Sequence, residues 1–442
     1  MQWHLRSWQN AKQLQQPNYP DHQKLETILT RLAKLPPLVT PDEVEQLKHQ
    51  VAEAATGKSF ILQAGDCAES FANCSEASIN KQVKILQQMS LVLMAGLSKP
   101  ITTIGRIAGQ YAKPRTTLIE TKGDLNLPSY RGDLINGQTF SAEAREADPE
   151  RLIQGYGYSS MTLNYIRSFK RNTLVELTIP SSWHEPLLDT ESQQLLSNLG
   201  QSLHLMDQLP SDTISTELYT SHESLLLHYE QALTRQYQDK WYNLSTHFPW
   251  IGMRTAKANS GQVEYLRGIE NPIAIKVGPD IEASELLDLI KILNPQKEQG
   301  KITLITRFGA NNIQRCLPTL IKYIQQSAQP VLWCSDPMHG NSRVTESNHK
   351  TRDIADIHQE LNLAYDIHQQ HQSILGAVHL EVSGEEVTEC CGGLGKISEQ
   401  QLDNNYQSLL DPRLNRFQSL ETVLLLIKTF KQQKSNLHLV NN

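Results

Sequence analysis

Val331-Leu332-Trp333-Cys334-Ser335-Asp336-Pro337-Met338-His339-Gly340-Asn341 is a short apolar run that leads directly into an aspartate and a histidine. The apolar part is typical of a buried strand, so both polar side chains lie just past the C-terminal end of that strand. A second run, Ala377–Val382, carries Glu381 near its end, and a third, Phe60–Ala64, is followed by Cys67. Cysteine, histidine and carboxylate side chains at the ends of several strands indicate a metal site on one face of a barrel.

Short β-rich runs alternate with amphipathic helical patterns along most of the chain. We predict eight strands, at residues 60–64, 101–106, 216–220, 249–253, 273–277, 302–306, 331–335 and 377–382. This alternation is typical of an α/β fold, and eight strands predict a (β/α)8 TIM barrel. We expect residues 1–57 to form an N-terminal helical extension and residues 58–442 the catalytic barrel. A helical insertion is expected at about 131–215, between the second and third strands.

The bulk composition narrows the class of protein. The 442 residues are 39% hydrophobic and carry a formal net charge of −6, without a basic block of the kind that binds nucleic acid. No run approaches the ~20 apolar residues of a membrane span, and the first residues lack the apolar core of a secretory signal. The six cysteines form no CxxC pair. We therefore expect a cytoplasmic protein with reduced thiols and with no nucleic-acid or membrane partner.

Four basic side chains lie at or near the ends of predicted strands: Arg106, Arg254, Lys276 and Arg307. Active sites of TIM barrels lie on the face formed by the C-terminal strand ends. Any one of these cations is more often a solvated strand end or an internal salt bridge than a ligand, by roughly 2:1. Four together favour an anionic substrate, because a buried cation is costly unless it is paired. Guanidinium groups also bind phosphate and carboxylate bidentately.

The predicted metal ligands also have ordinary explanations when each is taken alone. Cys67 could be a packed thiol, His339 a core histidine and Glu381 an ion-pair partner inside the barrel. Together, at three strand ends, they favour a mixed site that suits Mn²⁺, Co²⁺, Zn²⁺ or Fe²⁺. The pair His222-Glu223, after the third predicted strand, is a candidate for proton transfer. The residues alone indicate a metal-dependent barrel enzyme for small, multiply anionic substrates, and they leave the reaction type open.

Seven longer motifs follow one another along the chain: Gln63–Phe71, Gly105–Arg115, Ser129–Asp133, Tyr219–Glu223, Asp336–Asn341, Val387–Cys390 and Asp411–Asn415. In this order they resemble the type II (plant-like) 3-deoxy-D-arabino-heptulosonate 7-phosphate (DAHP) synthases, the first enzymes of the shikimate pathway. Several long motifs in order are more specific than one short pattern. The resemblance extends from about Trp8 to Ile427.

The resemblance implies a role for each candidate site residue. The family's metal site corresponds to four side chains of this chain: Cys67, His339, Glu381 and Asp411. The residues expected to bind phosphoenolpyruvate are Arg106, Met253, Arg254, Lys276 and Arg307. The residues expected to bind erythrose 4-phosphate are Lys113, Arg115 and Thr116. Within these sets, the resemblance gives Lys276 and His339 catalytic roles.

The resemblance also implies an activity, that of a 3-deoxy-7-phosphoheptulonate synthase, which is a transferase. Phosphoenolpyruvate, erythrose 4-phosphate and water would give DAHP and phosphate, at the start of chorismate and aromatic amino acid biosynthesis. A divalent ion, Mn²⁺ or Co²⁺ before Zn²⁺ or Fe²⁺, would act as a Lewis acid on the aldehyde oxygen. By the same analogy we expect a homo-oligomer, with chorismate mutase as a candidate protein partner.

Three positions depart from the family pattern. Met253 replaces a common glutamate, Leu410 replaces a cysteine that could pair with Cys67, and Ala377 replaces a second glycine after Gly376. We expect the methionine to be tolerated and Cys67 to form no intramolecular disulfide.

The insertion is also shorter than in the longest bacterial members. An isoform for phenazine-type or aminoshikimate-type secondary metabolism, the latter using an amino sugar phosphate, therefore stays an alternative. So do a non-catalytic regulatory paralogue and another metal-dependent barrel lyase or hydrolase.

Overall fold

The core of the protein is a closed parallel barrel, seen in a computed structural model that describes residues 2–168, 189–206 and 218–440. Its eight strands are β1 (Phe60–Gly65), β2 (Ile101–Arg106), β5 (Leu218–Glu223), β8 (Phe248–Ile251), β9 (Ile273–Val277), β10 (Ile302–Thr306), β11 (Leu332–Ser335) and β14 (Leu375–Glu381). They neighbour one another in the order β1-β14-β11-β10-β9-β8-β5-β2. Because β1 pairs with both β14 and β2, the sheet closes, and the predicted TIM barrel is confirmed.

Three antiparallel hairpins lie outside the barrel sheet in the part of the chain that the structure describes. They are β3 (Ile119–Lys122) with β4 (Leu125–Pro128), β6 (Thr234–Tyr237) with β7 (Lys240–Asn243), and β12 (Ser342–Val344) with β13 (Lys350–Arg352). The sequence patterns predicted none of the three, because each strand has only three or four residues. So short a run does not develop a clear alternation of apolar and polar side chains.

Helices surround the barrel and fill the described part of the insertion. They are α1 (His22–Lys34), α2 (Pro41–Ala55), α3 (Glu76–Leu97), α4 (Ala142–Arg145), α5 (Glu150–Ser168), α6 (Thr190–Met206), α7 (Leu227–Ala232), α8 (Gly261–Leu266), α9 (Ala283–Leu293), α10 (Ile313–Ser327), α11 (Ile354–Gln370) and α12 (Arg416–Val440). Of these, α4, α5 and α6 belong to the insertion, while residues 169–188 and 207–217 lie outside the described ranges. None of the helices within those ranges combines the length and the apolar character that crossing a bilayer requires.

The barrel strands differ from their predicted positions mainly at their ends. The third was predicted at 216–220, of which 216–217 lie outside the described residues, and β5 continues to Glu223. Ser221, His222 and Glu223 pair with β8. Ser221 and Glu223 fit a strand because they face the polar level of the barrel interior, whereas His222 points outward to Glu230. The fourth was predicted to reach residue 253, but β8 ends at Ile251, where the chain enters a turn.

Helix α2 closes the N-terminal end of the barrel. Its residues Leu47, Val51 and Ala54 are fully buried and pack with the inward-facing apolar residues of the strands. The approach is close: a Cβ atom at Gly376 would lie 2.4 Å from the carbonyl oxygen of Ala54, so the strand needs glycine there. Part of the expected N-terminal extension, 1–57, therefore contributes to the core of the barrel, and its boundary as a separate unit stays a prediction.

Inward-facing side chains change from apolar to charged along the barrel axis. On β14, Ala377 belongs to the apolar cluster, His379 lies one layer above it and Glu381 reaches the C-terminal end. On β9, Ala274 is likewise followed by Lys276. Side chains two residues apart point to the same face of a strand, so the apolar plug and the charged layer share one set of strands. The charged layer at the C-terminal ends is therefore the candidate active site.

Candidate active site

Four side chains with metal-binding donors meet at the C-terminal mouth of the barrel. Cys67 follows β1, His339 follows β11, Glu381 ends β14 and Asp411 precedes α12. One donor atom each from Cys67, Glu381 and Asp411 lies within 4.8 Å of the other two. His339 Nε2 lies 3.0 Å from Glu381 Oε1 and 4.0 Å from Asp411 Oδ2. The fold thus brings together the four side chains that the family resemblance indicates.

The donor cluster contacts a positive charge, the ammonium group of Lys113. Its Nζ lies 2.6 Å from Cys67 Sγ and 3.7 Å from Glu381 Oε1, and it also contacts Asp411 Oδ2. Glu381 Oε1 is buried and accepts no hydrogen bond from any residue that the structure describes. A thiol, an imidazole and two carboxylates are ligands that first-row divalent metals accept. The residues therefore fit a divalent cation, and Lys113, a candidate ligand of the sugar phosphate, also contacts them.

Neighbouring charges keep Glu381 ionised in spite of its burial. Burial alone would raise its pKa, but His339, Lys113 and Arg352 hold the pKa of Glu381 well below its usual range. Arg352 Nη2 donates a hydrogen bond of 2.8 Å to Glu381 Oε2, and both side chains are fully buried. Burial and the charge of Glu381 raise the pKa of Cys67 to about 12. The thiol therefore stays neutral at pH 7 until a cation stabilises its thiolate.

Asp336 joins the donor cluster to the basic side chains. Its Oδ2 accepts a hydrogen bond from Lys276 Nζ at 2.5 Å and lies 2.8 Å from His339 Nδ1. Although burial opposes it, the charges of His339 and Lys276 hold the pKa of Asp336 well below its usual range. Burial lowers the pKa of Lys276. The contact with Asp336 occupies Nδ1 of His339 and leaves Nε2 facing Glu381. A metal-binding imidazole has this orientation, with one ring nitrogen on a carboxylate and the other toward the metal.

Arg106 lies in the middle of the charged layer and is only 2% exposed. Its Nη2 donates to the carbonyl of Cys67 at 2.6 Å and lies 3.1 Å from Glu381 Oε1. Its Nε donates to the carbonyl of Asp66 at 2.7 Å, and its Nη1 lies 2.6 Å from His379 Nε2. Arg106 therefore fixes the backbone around Cys67 in addition to placing positive charge inside the site.

Arg307 and Arg254 extend the positive charge from the ends of β10 and β8. Arg307 Nη2 donates to the carbonyl of His339 at 2.5 Å, and its Nη1 lies 3.0 Å from Met253 Sδ. Arg254 is exposed, and its Nη2 donates to Thr116 Oγ1 at 2.5 Å. These contacts connect the residues expected to bind phosphoenolpyruvate with the loop expected to bind the sugar phosphate.

The loop Lys113–Thr116 lies at the edge of the site, but its three candidate ligands point in different directions. Lys113 reaches the donor cluster and Thr116 contacts Arg254. Arg115 Nη2 lies 3.7 Å from Glu120 Oε1. The backbone thus brings the three residues to the site, while their side chains contact different partners.

Glu223 is a half-buried residue whose carboxyl group lies close to the same cations. Its Oε1 accepts no hydrogen bond within the described ranges, and a Cβ at Gly252 would lie 2.0 Å from that atom. Burial raises the pKa of Glu223 to about 7, against the opposing charge of Lys113. His222, predicted as its partner, belongs to a separate buried network, with Nε2 2.9 Å from Glu230 Oε1. Of the predicted pair, only Glu223 is therefore a candidate for proton transfer in the site.

Three basic residues of the site were absent from the sequence-based prediction. Arg352 pairs with Glu381, and Lys350 contacts Asp411 Oδ1. Both lie on the short strand β13, which gave no pattern in the sequence. Arg413 Nη1 donates to Asp66 Oδ2 at 2.9 Å. Arg413 lies inside the last of the seven motifs, so that motif could have indicated it.

The chain is similar to known proteins over nearly its whole length. Residues 3–427 match the family model described as the Class-II DAHP synthetase family. The chain is 42% identical to the phospho-2-dehydro-3-deoxyheptonate aldolase of Neurospora crassa, over 98% of this chain and 95% of that protein. It is 38% identical to the Streptomyces coelicolor protein of the same name, over 97% of each chain. It is 36% identical to phospho-2-dehydro-3-deoxyheptonate aldolase AroG of Mycolicibacterium smegmatis, over 95% of this chain and 92% of that protein. The chain therefore belongs to the class-II DAHP synthetase family of enzymes.

Proposed function

We propose that this enzyme condenses phosphoenolpyruvate with erythrose 4-phosphate and water to give DAHP and inorganic phosphate. The observation that carries the proposal is the donor cluster of Cys67, His339, Glu381 and Asp411 beside a group of buried and half-buried cations. Such a site would hold a divalent cation next to positive charges that would bind two phosphorylated substrates. The names of the relatives, which are phospho-2-dehydro-3-deoxyheptonate aldolases, support the same reaction.

In the proposed reaction, C3 of phosphoenolpyruvate forms a bond to the aldehyde carbon, water adds at C2 and the C2–O bond to phosphate breaks. A divalent cation bound by the four donors would polarise the aldehyde oxygen as a Lewis acid. Lys276 and Arg307 would hold the anionic groups of phosphoenolpyruvate, and their own partners Asp336 and His339 fix them beforehand. Lys276 Nζ is our candidate for donating a proton to the aldehyde oxygen, which becomes a hydroxyl as the C–C bond forms, since burial lowers the pKa of Lys276.

Loss of the ultraviolet absorbance of phosphoenolpyruvate tests the proposal. The enzyme is stripped of metal, reloaded with Mn²⁺ or Co²⁺, and assayed with and without erythrose 4-phosphate. We expect loss that requires both the metal and the sugar phosphate. Consumption only with an amino sugar phosphate would replace this proposal with the aminoshikimate-type reaction. A folded, metal-loaded protein that fails to consume phosphoenolpyruvate with either erythrose 4-phosphate or an amino sugar phosphate would contradict the proposal.

Glu223→Gln is expected to lower kcat by about 10²–10³-fold, the usual contribution of a general acid or base. We propose that Glu223 accepts a proton from the water that adds at C2, which requires its ionised form. Its pKa is raised to about 7, so kcat/KM of the wild type should rise with pH through about 7. Steady-state rates from pH 5.5 to 8.5 check this, with His222→Gln as the control in the neighbouring network. If kcat/KM of Glu223→Gln rose with pH through about 7 as in the wild type, another group would be responsible for the titration.

Met253→Glu is expected to change kcat/KM by less than about tenfold, which is about 1.4 kcal/mol of barrier. The thioether of Met253 contacts Arg307, and a glutamate at this position would pair with the same guanidinium without removing it from the site. Initial rates with varied phosphoenolpyruvate measure the change. Met253→Leu is the matched control, because it removes the sulfur at similar volume. A gain above tenfold for the glutamate would mean that the methionine limits this enzyme.

The remaining details of the proposal follow from the family resemblance. They are Mn²⁺ or Co²⁺ as the native metal, a cytoplasmic location, assembly as a homo-oligomer and chorismate mutase as a partner. Metal analysis of the protein as purified tests the first. Light scattering of the enzyme alone and mixed with chorismate mutase from the same source tests the last two.

A further inference from the structure

Near the N-terminus, residues 13–16 lie against the loops of the active site. We call this segment the strap. The carbonyl of Leu14 accepts a hydrogen bond of 3.0 Å from Gln262 Nε2, and Gln16 Nε2 donates to the carbonyl of Leu225 at 2.7 Å. The strap is therefore anchored to helix α8 and to the segment that follows β5, the strand that carries Glu223.

Gln15 of the strap makes a two-point contact with the loop Lys113–Thr116. Its Oε1 accepts from the backbone N–H of Arg115, and its Nε2 donates to the carbonyl of the same residue, both at 3.2 Å. The side-chain amide thus pairs with Arg115 as a peptide group of a neighbouring strand would. This pairing fixes the backbone in the middle of the loop that carries the three candidate sugar-phosphate ligands.

The backbone of Gln15 is held in an unusual conformation. Its φ of +57° lies in the left-handed region, which residues other than glycine rarely adopt. Its carbonyl accepts a hydrogen bond of 2.5 Å from Arg131 Nη2, and the carbonyl of Arg131 in turn accepts from the N–H of Lys113 at 2.9 Å. Gln15 and Arg131 together hold two positions of the loop. Strain of this kind persists where surrounding contacts impose it, often beside a ligand site.

We propose that Gln15 is a positioning residue for the sugar-phosphate substrate, an inference that rests on the function proposed above. Gln15 acts through the peptide of Arg115 and contacts none of the groups proposed to react. Without the side-chain amide of Gln15, the loop would lose both hydrogen bonds. The phosphate of the substrate would then bind to a more mobile loop. Binding of phosphoenolpyruvate should change much less. Its proposed ligands Lys276 and Arg307 are held by Asp336 and by the carbonyl of His339, although Arg254 contacts Thr116 of the same loop.

The test compares Gln15→Gly with Gln16→Ala in the full-length, metal-loaded enzyme. Glycine removes the side chain of Gln15 but accepts a positive φ, so the variant keeps the backbone conformation without strain. Gln16→Ala removes a similar amide from the strap, one that bonds Leu225 and not the loop. Steady-state kinetics give KM for each substrate, and hydrogen exchange of the segment 113–116 reports on the loop independently of activity.

For Gln15→Gly we expect KM for erythrose 4-phosphate to rise about tenfold or more, with KM for phosphoenolpyruvate within about twofold of the wild type. Faster exchange of the Arg115 amide should accompany it. Gln16→Ala should show neither effect, because Gln262 still holds the strap through the carbonyl of Leu14. An unchanged KM for the sugar phosphate, an equal rise in both KM values or a fall in kcat alone would overturn the inference. If the wild-type enzyme were inactive with erythrose 4-phosphate, the proposed function would be rejected. In that case the positioning role could still be tested by hydrogen exchange, and an unchanged exchange rate of the Arg115 amide in Gln15→Gly would reject it.

Discussion

Cys67→Ser is expected to lower kcat/KM by at least about 10³-fold, or about 4 kcal/mol of barrier. Serine keeps the size of the side chain, but a neutral hydroxyl is a much poorer ligand for a first-row divalent metal than a thiolate. The change leaves Glu381 and Asp411 in place, so their ion pairs with Arg352 and Lys350 survive. We therefore expect the loss to come from metal binding and not from unfolding.

Two measurements separate these explanations for Cys67→Ser. Cobalt reconstitution should give a sulfur-to-metal absorption band in the wild type and none in the variant, and metal analysis should show reduced occupancy. Cys391→Ser is the matched control, a buried thiol outside the donor cluster whose Sγ lies 3.5 Å from Thr351 Oγ1, a contact that serine can keep. If Cys67→Ser retained the band, full metal content and activity within tenfold of the wild type, Cys67 would not be a ligand.

Lys276→Met is the second change for which we expect a loss of about 10³-fold or more in kcat/KM. Methionine fills similar space but removes the buried cation that contacts Asp336 Oδ2 at 2.5 Å. Two consequences are expected. Phosphoenolpyruvate loses a proposed charged ligand, and Asp336 keeps only His339 as an ionic partner among the described residues. The reduced affinity should appear as weaker binding of phosphoenolpyruvate by calorimetry, in the absence of the sugar phosphate.

Lys301→Met is a stringent control for Lys276→Met. Both lysines are 6% exposed, and Lys301 lies at the opposite end of the barrel, just before β10, where its Nζ contacts the carbonyl of Ile269. Burial lowers the pKa of Lys301 to about 8, so this is also a buried cation. Both variants are expected to lose stability, as removal of a partner from a buried polar contact usually does. Equal losses of activity in the two would assign the effect to stability and not to the site.

Much of the barrel was predictable because its strands carry a strong local signal. The strands at 273–277 and 302–306 were predicted with their observed ends, since each is a run of apolar and β-branched residues between turns. The third strand was harder to place, because its inward-facing residues after Tyr219 are the polar Ser221 and Glu223, which give the pattern of a loop. The hairpins were missed for the related reason that three or four residues give no periodicity.

The gathering of the candidate site residues followed from a simple geometric rule. In a parallel barrel all strands end at the same face, so a residue that ends β2, β10 or β14 must lie near the others. Cys67, His339 and Glu381 could be selected in this way, and Arg106, Lys276 and Arg307 as well. Asp411 has no such signal, because it lies in a loop, and only the family motif indicated it.

The amino-acid sequence by itself determined the barrel, the face that carries the chemistry and the family, because strand periodicity and ordered motifs are local properties of the chain. The tertiary structure alone decided that Lys113 lies among the candidate metal donors, that Arg352 pairs with Glu381 and that Gln15 holds Arg115. Gln15 and Arg115 are 100 residues apart, and Lys113 and Asp411 are 298 apart. Contacts over such separations leave no periodic signal, since they arise from the closure of the barrel and from the polar groups that its buried interior must satisfy.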